Sequence, residues 1–329
     1  MDKLAKSKWV CICYFYILKM LPGSVLSYLI KRSPVLCALA LELVRTISRF
    51  KAIPEKLLDI FLREQAILPS YGIVSIAGLF LQKGNIEKAR DLIQSSLHRD
   101  DLNACIKKNV SVSSMMHEDL ALDDEVNLYK SMLESDTYTS FCQYLKDSSI
   151  VVVGNSPCEL GKGKGKSIDQ YDVVMRFNNF NLGIEEHRAD YGSKTSVWVH
   201  SGVVDVVFDP AVVDAVDYVV FTQEMHYLSW AHLQTVLELY RYAPDKVVFF
   251  PGEVCRTIYS YLPLLLPSSG IKVLSWLTLN NLKFKYCGFK LIDQVEGTRK
   301  YYFNQKTQQG TCHIWYKEAR VLSKISGVL

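Results

Sequence analysis

The chain has 329 residues, of which 49% are hydrophobic and 22% are charged, so it can build a packed core and is not disordered as a whole. Its formal net charge of +4 excludes the strongly basic surface that is typical of nucleic-acid-binding domains. The length allows one large or two ordinary domains, and we expect no nucleic-acid partner.

Nine cysteines are scattered along the chain, and none of them forms a CxxC pair. The spacing therefore gives no support to a zinc ribbon or a thioredoxin-type site. Scattered cysteines in a chain of this length are typical of small buried side chains in a reducing compartment.

The N-terminal segment 8–32 combines apolar and aromatic residues with lysines. Its apolar run from Trp9 to Ile30 is split by Pro22-Gly23, although a spanning helix needs about 20 mainly apolar residues. The segment shows no small-residue cleavage site of the kind that ends a signal peptide. We favour a peripheral segment at a membrane interface, while a true anchor and a simple buried helix stay open.

Residues 1–110 are predicted to form a helical accessory region, because apolar residues recur at spacings of three and four. A helical hairpin is expected over residues 71–97, with a turn at Lys83-Gly84-Asn85. Its apolar faces comprise Ile73, Ile76, Leu79 and Phe80, then Ile86, Ala89, Leu92 and Ile93. One such tetratricopeptide-like unit cannot bury its own face, so we expect it to pack on something else. The polar, acidic residues 111–147 are predicted to be a linker with a helix that leads into the next domain.

Short apolar runs appear after residue 148 and alternate with polar or helical stretches. They are Ile150–Val153, Val173–Met175, Val197–Val199, Tyr218–Phe221, Val247–Phe250 and Lys285–Phe289. This pattern predicts an α/β domain over residues 148–329 with a Rossmann-like, mostly parallel sheet. Ligands of such sheets bind at the carboxyl ends of the strands.

The first of these strands leads into Gly154-Asn155-Ser156 and then into glycines alternating with lysines at 161–166. A flexible turn with short polar side chains at a strand end suits a nucleotide. The Walker A pattern fails, because Leu160 stands where its first glycine belongs. The dinucleotide pattern GxGxxG fails as well, because Lys166 replaces its third glycine.

The stretch Val151–Thr195 resembles the large sialylmotif of glycosyltransferase family 29, the sialyltransferases. The matching elements are Gly154-Asn155-Ser156, Leu160, Ile168-Asp169, Asp172-Val173-Val174, Arg176-Phe177-Asn178 and Asp190–Thr195. The resemblance implies that Asn155, Ser156 and Asn178 bind the CMP part of a CMP-activated sugar donor.

Two further motifs of this family follow in the expected order. Pro267-Ser268-Ser269-Gly270 and Cys287-Gly288-Phe289 are similar to the small sialylmotif, which implies donor contacts from Ser268, Ser269 and Gly270 at a helix N-terminus. His313 and Glu318 are similar to the final His-x4-Glu motif, and both are predicted to be catalytic. We assign the general base to His313, because an unperturbed histidine has a pKa near ~6.5.

The sequence departs from the family at two places. The aromatic motif is represented by Lys300-Tyr301-Tyr302, with lysine where the family has histidine, and we expect Lys300 and Tyr302 to bind the donor. The family disulfide has no counterpart, because Ser148, Ser149 and Asn281 stand near its positions. We therefore expect a bacterial-type member in the cytoplasm, peripheral on the cytoplasmic face of an inner membrane.

The resulting hypothesis is an inverting transferase that moves a sialic acid from a CMP donor to a hydroxyl of a glycan or glycolipid. No cofactor or metal is expected, because no DxD pair follows a strand in the expected place, and His200 is the reserve candidate for the base. Two alternatives stay open. One is a CMP-Kdo-dependent transferase of lipopolysaccharide or capsule synthesis, and the other is a non-catalytic CMP-binding scaffold.

Overall fold

A computed structural model describes residues 27–28, 31, 37, 40–41, 44, 53–82, 85–107, 109–116, 128, 131–132, 134–201, 208–222, 230–261, 267–289, 302 and 315–325. Contacts divide the chain into two compact units. The first comprises Met1–Leu133 with Met225–Trp230, and the second comprises Glu134–Glu224 with Ala231–Leu329.

The described residues of the first unit are mostly helical, as predicted. The helices whose bounds the structure gives are α1 (Glu55–Arg63), α2 (Ser70–Gln82), α3 (Ile86–Gln94), α4 (Leu102–Lys107) and α5 (Val110–Met115), with a 3-10 turn at Gln65–Ile67. The predicted hairpin is confirmed, because α2 and α3 pack against each other.

Most of the residues that the periodicity assigns to the apolar faces of this hairpin are buried. Ile73, Ile76 and Phe80 are fully buried on α2, as are Ala89 and the other central residues of the second face. Ile86 is an exception: it is the first residue of α3 and is 54% exposed. The Asn85 side chain accepts a hydrogen bond from the Lys88 N–H and so caps the start of α3.

The predicted membrane-contacting segment 8–32 falls almost entirely outside the described residues. Ser27, Tyr28 and Lys31 are its described members, and they are helical. None of the helices in the described part of the chain combines the length and the apolar character that crossing a membrane requires. A peripheral contact and a cytoplasmic location stay predictions.

The second unit is built on a six-stranded parallel sheet. Its strands are β1 (Ile150–Val153), β2 (Val173–Phe177), β3 (Val197–His200), β4 (Tyr218–Phe221), β5 (Val247–Phe249) and β6 (Phe284–Cys287). Every neighbouring pair is parallel. All six predicted strands and the α/β class are therefore confirmed.

Helices accompany the strands of this sheet. They are α6 (Thr137–Lys146), α7 (Gly165–Ile168), α8 (Arg188–Tyr191), α9 (Pro210–Ala215), α10 (Trp230–Tyr242), α11 (Gly252–Tyr261), α12 (Ser269–Leu279) and α13 (Trp315–Leu322). Two 3-10 turns lie at Pro157–Glu159 and Phe180–Gly183. The predicted linker therefore includes α6, whose Phe141 stacks on Trp276 at 5.7 Å and joins the core of the second unit.

Both faces of the sheet are covered, which explains why its strands are continuous apolar runs. Ile150 and Val152 of β1 face one core with Trp276, whereas Val151 and Val153 face a second core with Tyr191. Every residue of β1, β2 and β3 is buried.

The strand order is β5-β4-β3-β2-β1-β6. From β1 the chain adds strands in one direction as far as β5, and it then returns to place β6 on the other side of β1. The order therefore reverses between β1 and β6, and open α/β sheets bind their ligands at the carboxyl ends of the strands beside such a reversal.

Candidate active site

The turns that follow β1 and β6 are in backbone contact. The Gly154 N–H donates to the Cys287 carbonyl at 2.9 Å, and the Ser156 N–H donates to the Gly288 carbonyl at 2.9 Å. A Cβ at Gly154 would lie 2.4 Å from the Gly288 oxygen, and a Cβ at Gly288 would lie 2.2 Å from the Gly154 oxygen. Only glycine fits at both positions, and Gly288 also has a φ of +71°.

Asn155 and Asn178 lie at the ends of the neighbouring strands β1 and β2. The Asn155 Nδ2 donates to the Phe177 carbonyl at 2.9 Å, and the Asn178 Oδ1 accepts from the Ser201 N–H at 2.9 Å. The Asn155 Oδ1 and the Asn178 Nδ2 have no partner among the described residues. These half-buried amides therefore offer one acceptor and one donor to a ligand.

The start of α12 presents the predicted serines and glycine. The Ser268 Oγ caps this helix by accepting from the Ile271 N–H at 3.4 Å. Ser269 and Gly270 form its first turn, where backbone N–H groups and the helix dipole favour an anion. Ser268 and Ser269 are half-buried, and Gly270 is buried.

Phe289 connects the two predicted donor-binding elements. A Cβ at Gly270 would lie 2.5 Å from its Cε1, and a Cβ at Gly154 would lie 3.0 Å from its Cδ2. Its ring also packs edge-on against Phe177 and Tyr286, with centroid distances of 5.9 Å to each. The structure therefore brings the Asn155 turn and the start of α12 together, one on each side of a single ring.

Glu318 lies at the base of the same helix start. Its carboxylate is fully buried, its Oε1 accepts from the Ser268 N–H at 2.8 Å, and its Oε2 accepts from the Ser268 hydroxyl at 2.6 Å. These contacts give Glu318 a structural link to the predicted donor site. His313 lies outside the described residues, two positions before α13.

Tyr302 contacts the Asn155 turn from the interior of the protein, not from the solvent side. The side chain is fully buried and stacks on Tyr191 at 4.3 Å, and burial raises the pKa of its hydroxyl to about 12. Its backbone N–H donates to the Asn155 carbonyl at 3.0 Å. In this position the backbone of Tyr302 holds the turn while its ring packs on Tyr191, and the donor contact of Tyr302 stays a prediction. Lys300 is outside the described residues.

The loop of alternating glycines and lysines binds a carboxylate of its own chain. Gly161 and Gly163 have φ of +76° and +64°, and their N–H groups donate to the two oxygens of Asp190 at 2.8 Å each. These two N–H bonds hold the pKa of the Asp190 carboxyl below its ordinary value. The two backbone N–H groups that could bind a phosphate are therefore already bonded to Asp190.

Arg176 of the large motif has a buried guanidinium group. Its Nε donates to the Lys194 carbonyl at 3.0 Å, and one terminal nitrogen donates to the Tyr191 carbonyl at 2.6 Å. Burial lowers the pKa of this guanidinium. The sequence analysis names Arg176 and Asp190 as matches to the large motif but assigns them no role. The structure shows that each one fixes backbone groups of this motif.

The reserve candidate His200 ends β3 and is fully buried between Trp198 and Phe221. Within the described ranges, no group of three or more His, Cys, Asp or Glu side chains could hold a metal ion. A metal-independent reaction stays a prediction.

A family model described as "Glycosyltransferase family 29 (sialyltransferase)" matches residues 108–327, well over half of the chain. The solved structures that are similar to this chain include two of mammalian sialyltransferases. A mammalian sialyltransferase in complex with Gal-beta-1-3GalNAc-ortho-nitrophenol is 15% identical with a TM-score of 0.42, covering 65% of this chain and 81% of that one. A second mammalian sialyltransferase structure is 17% identical with a TM-score of 0.40, covering 63% and 84%. No curated protein sequence matches. The chain belongs to glycosyltransferase family 29, the sialyltransferases.

Proposed function

We propose that this sialyltransferase-family chain transfers a sialic acid from CMP-sialic acid to a glycan hydroxyl by a single inverting displacement, without a metal ion. The observation that carries the proposal is the junction of β1, β6 and α12. Three elements implied to bind the donor or catalyse transfer meet there: the Asn155 turn, the α12 start and the helix that carries Glu318.

The junction suits a nucleotide monophosphate linked to an acidic sugar. The Asn155 Oδ1 and the Asn178 Nδ2 can bond the nucleoside, and the first turn of α12 can accept the phosphate or the sugar carboxylate. As CMP leaves, its phosphate gains negative charge, and the N–H groups of Ser269 and Gly270 stabilise that charge best in the transition state.

In this proposal His313 removes the proton of the acceptor hydroxyl while the bond from the anomeric carbon to the CMP phosphate breaks. The anomeric centre then has oxocarbenium character, and the hydroxyl attacks from the face opposite to the leaving CMP. Glu318 holds the helix start to which CMP binds. A direct part for Glu318 in proton transfer stays a prediction.

The central experiment compares His313→Ala with His98→Ala, since His98 is exposed in the helical unit and serves as a matched control. CMP binding is measured by calorimetry and transfer is measured with CMP-Neu5Ac. We expect His313→Ala to bind CMP with wild-type affinity and to transfer the sugar about 10²–10⁴-fold more slowly, because a general base usually contributes a factor of this size to the rate.

Three outcomes would contradict parts of this proposal. Loss of CMP binding in His313→Ala would refute the assignment of the base. Faster turnover of CMP-Kdo than of CMP-Neu5Ac would show that the transferred sugar is Kdo and not a sialic acid. Binding of CMP without hydrolysis or transfer of any donor would indicate a binding scaffold.

A further inference from the structure

Glu159 is a buried acidic residue that no sequence motif identifies. It ends the 3-10 turn Pro157–Glu159, which directly follows the Asn155 turn, and it is 5% exposed. Its backbone N–H donates to the Tyr191 hydroxyl at 3.3 Å. The residue is therefore fixed close to the predicted donor site through its own backbone.

The Glu159 carboxylate has partners on two sides. Its Oε1 accepts from the Gly288 N–H at 3.3 Å, and its Oε2 lies 3.1 Å from the Lys164 Nζ and 3.2 Å from the Lys162 Nζ. Burial by itself raises the pKa of this carboxyl, but Lys164, the Gly288 N–H and Lys162 together bring it below its ordinary value. Glu159 is therefore an anion near neutral pH, and two lysines compensate its burial.

Gly288 is the residue through which this carboxylate reaches the site. Its carbonyl accepts from the Ser156 N–H, and its N–H donates to Glu159. Both polar backbone groups of Gly288 are thus used to hold the β6 turn between Glu159 and the Asn155 turn. A cavity of about 270 Å³ adjoins this arrangement and is lined by Glu159, Gly288 and Phe289 together with residues of α13.

We propose that Glu159 is a positioning residue for the sugar-nucleotide donor, which it serves by fixing Gly288 and hence the spacing between the Asn155 turn and Phe289. The proposal rests on the proposed function, because it assumes that the donor binds at this junction. Lys162 and Lys164 keep the carboxylate charged and in place. Glu159 itself does not touch the reacting atoms.

The test separates the hydrogen bond to Gly288 from simple stability. Glu159→Leu removes the bond and leaves Lys164 beside an apolar side chain, so both the melting temperature and CMP affinity should fall. The double variant Glu159→Leu/Lys164→Leu replaces the ion pair with an apolar pair, an exchange that is often neutral for stability. Lys166→Leu is the matched control, because Lys166 is exposed and lies only two residues after Lys164, at the start of α7.

We expect the double variant to recover most of the melting temperature but to bind CMP about tenfold more weakly than the wild type, the effect of one lost hydrogen bond to a charged group. The donor KM should rise by a similar factor, with kcat within about twofold of the wild type. Glu159→Gln, whose amide oxygen can still accept from Gly288, should keep CMP affinity within about threefold.

Two results would overturn this inference. One is wild-type CMP affinity in the double variant, and the other is a loss in Glu159→Gln as large as in Glu159→Leu. Should the double variant fail to fold, the comparison of Glu159→Leu with Glu159→Gln, each measured against Lys166→Leu at a temperature where all three are folded, still decides between the outcomes, because only leucine removes the acceptor of the Gly288 N–H. Failure of the wild-type chain to bind CMP would instead refute the proposed function.

Discussion

The contact between Glu318 and Ser268 predicts how two substitutions at one position should differ. Glu318→Ala removes both acceptor oxygens, so the Ser268 N–H and hydroxyl lose the carboxylate that they contact at 2.8 and 2.6 Å. A hydrogen bond to a charged group contributes about 1.5–3 kcal/mol, and the Ser268 hydroxyl can turn to another partner. We therefore expect a loss of about 3 kcal/mol in the free energy of unfolding.

Glu318→Gln keeps the shape and both contacts in neutral form. The amide oxygen can accept from the Ser268 N–H, and the amide nitrogen can donate to the hydroxyl oxygen. We expect a loss of about 1 kcal/mol and a CMP affinity close to that of the wild type, because the start of α12 stays anchored. The assays are urea unfolding, calorimetry with CMP and the transfer rate.

A change of about 3 kcal/mol should lower the melting temperature by about 6–12 °C in a unit of this size. Glu238→Ala is the control: Glu238 is exposed on α10, and such a change alters stability by about 0.5 kcal/mol or less. Wild-type stability in Glu318→Ala would refute the anchoring role. A folded Glu318→Gln that binds CMP but has lost transfer a hundredfold or more would show that the charge acts in the chemistry.

Three other substitutions test the junction of β1 and β6 and the side-chain hydrogen bonds near it. Gly288→Ala places a Cβ 2.2 Å from the Gly154 oxygen at a positive φ, so it should cost about 3 kcal/mol and weaken CMP binding; a normal urea midpoint would contradict the close approach. The lowered pKa of Asp190 means that its contribution to stability is complete above the ordinary value of about 3.9 and is lost as the pH falls through the folded-state value. In Asp190→Asn the urea midpoint should therefore fall less steeply as the pH is lowered into the acid range. An unchanged dependence on pH would refute the contribution of Asp190 to stability. Lysine at position 176 cannot donate to the Lys194 and Tyr191 carbonyls with two nitrogens at once. Arg176→Lys should therefore lower the free energy of unfolding in urea by about 2 kcal/mol, and an unchanged value would show that the two hydrogen bonds do not stabilise the fold.

The sequence predicts the sheet well, for a physical reason that particular residues show. Ile150–Val153 is an uninterrupted β-branched run, and only a strand covered on both faces requires such a run. The carboxyl ends of parallel strands share one edge, so Asn155 and Asn178 are expected near each other. Ser268 before Ser269-Gly270 predicts the start of α12, because serine is a favoured N-cap.

Other parts of the site are not predictable from local pattern. Glu159 meets Gly288, and Asp190 meets Gly161, only because the turns between them take particular backbone conformations. The burial of Tyr302 has the same origin, since its partner Tyr191 is distant in sequence. Composition and spacing identify which residues are polar or aromatic, but they do not say which distant element each one will meet.

The placement of Phe289 has a consequence for engineering. One aromatic ring contacts both the loop after the first strand and the beginning of α12, so the size of that side chain sets how closely these two elements can approach each other. If the donor binds at this junction as proposed, a change in the size of this side chain should alter which synthetic sugar nucleotides the protein accepts, including donors that carry fluorescent tags. The two glycines beside the ring have no room for such changes, which makes Phe289 the natural first position for a focused library.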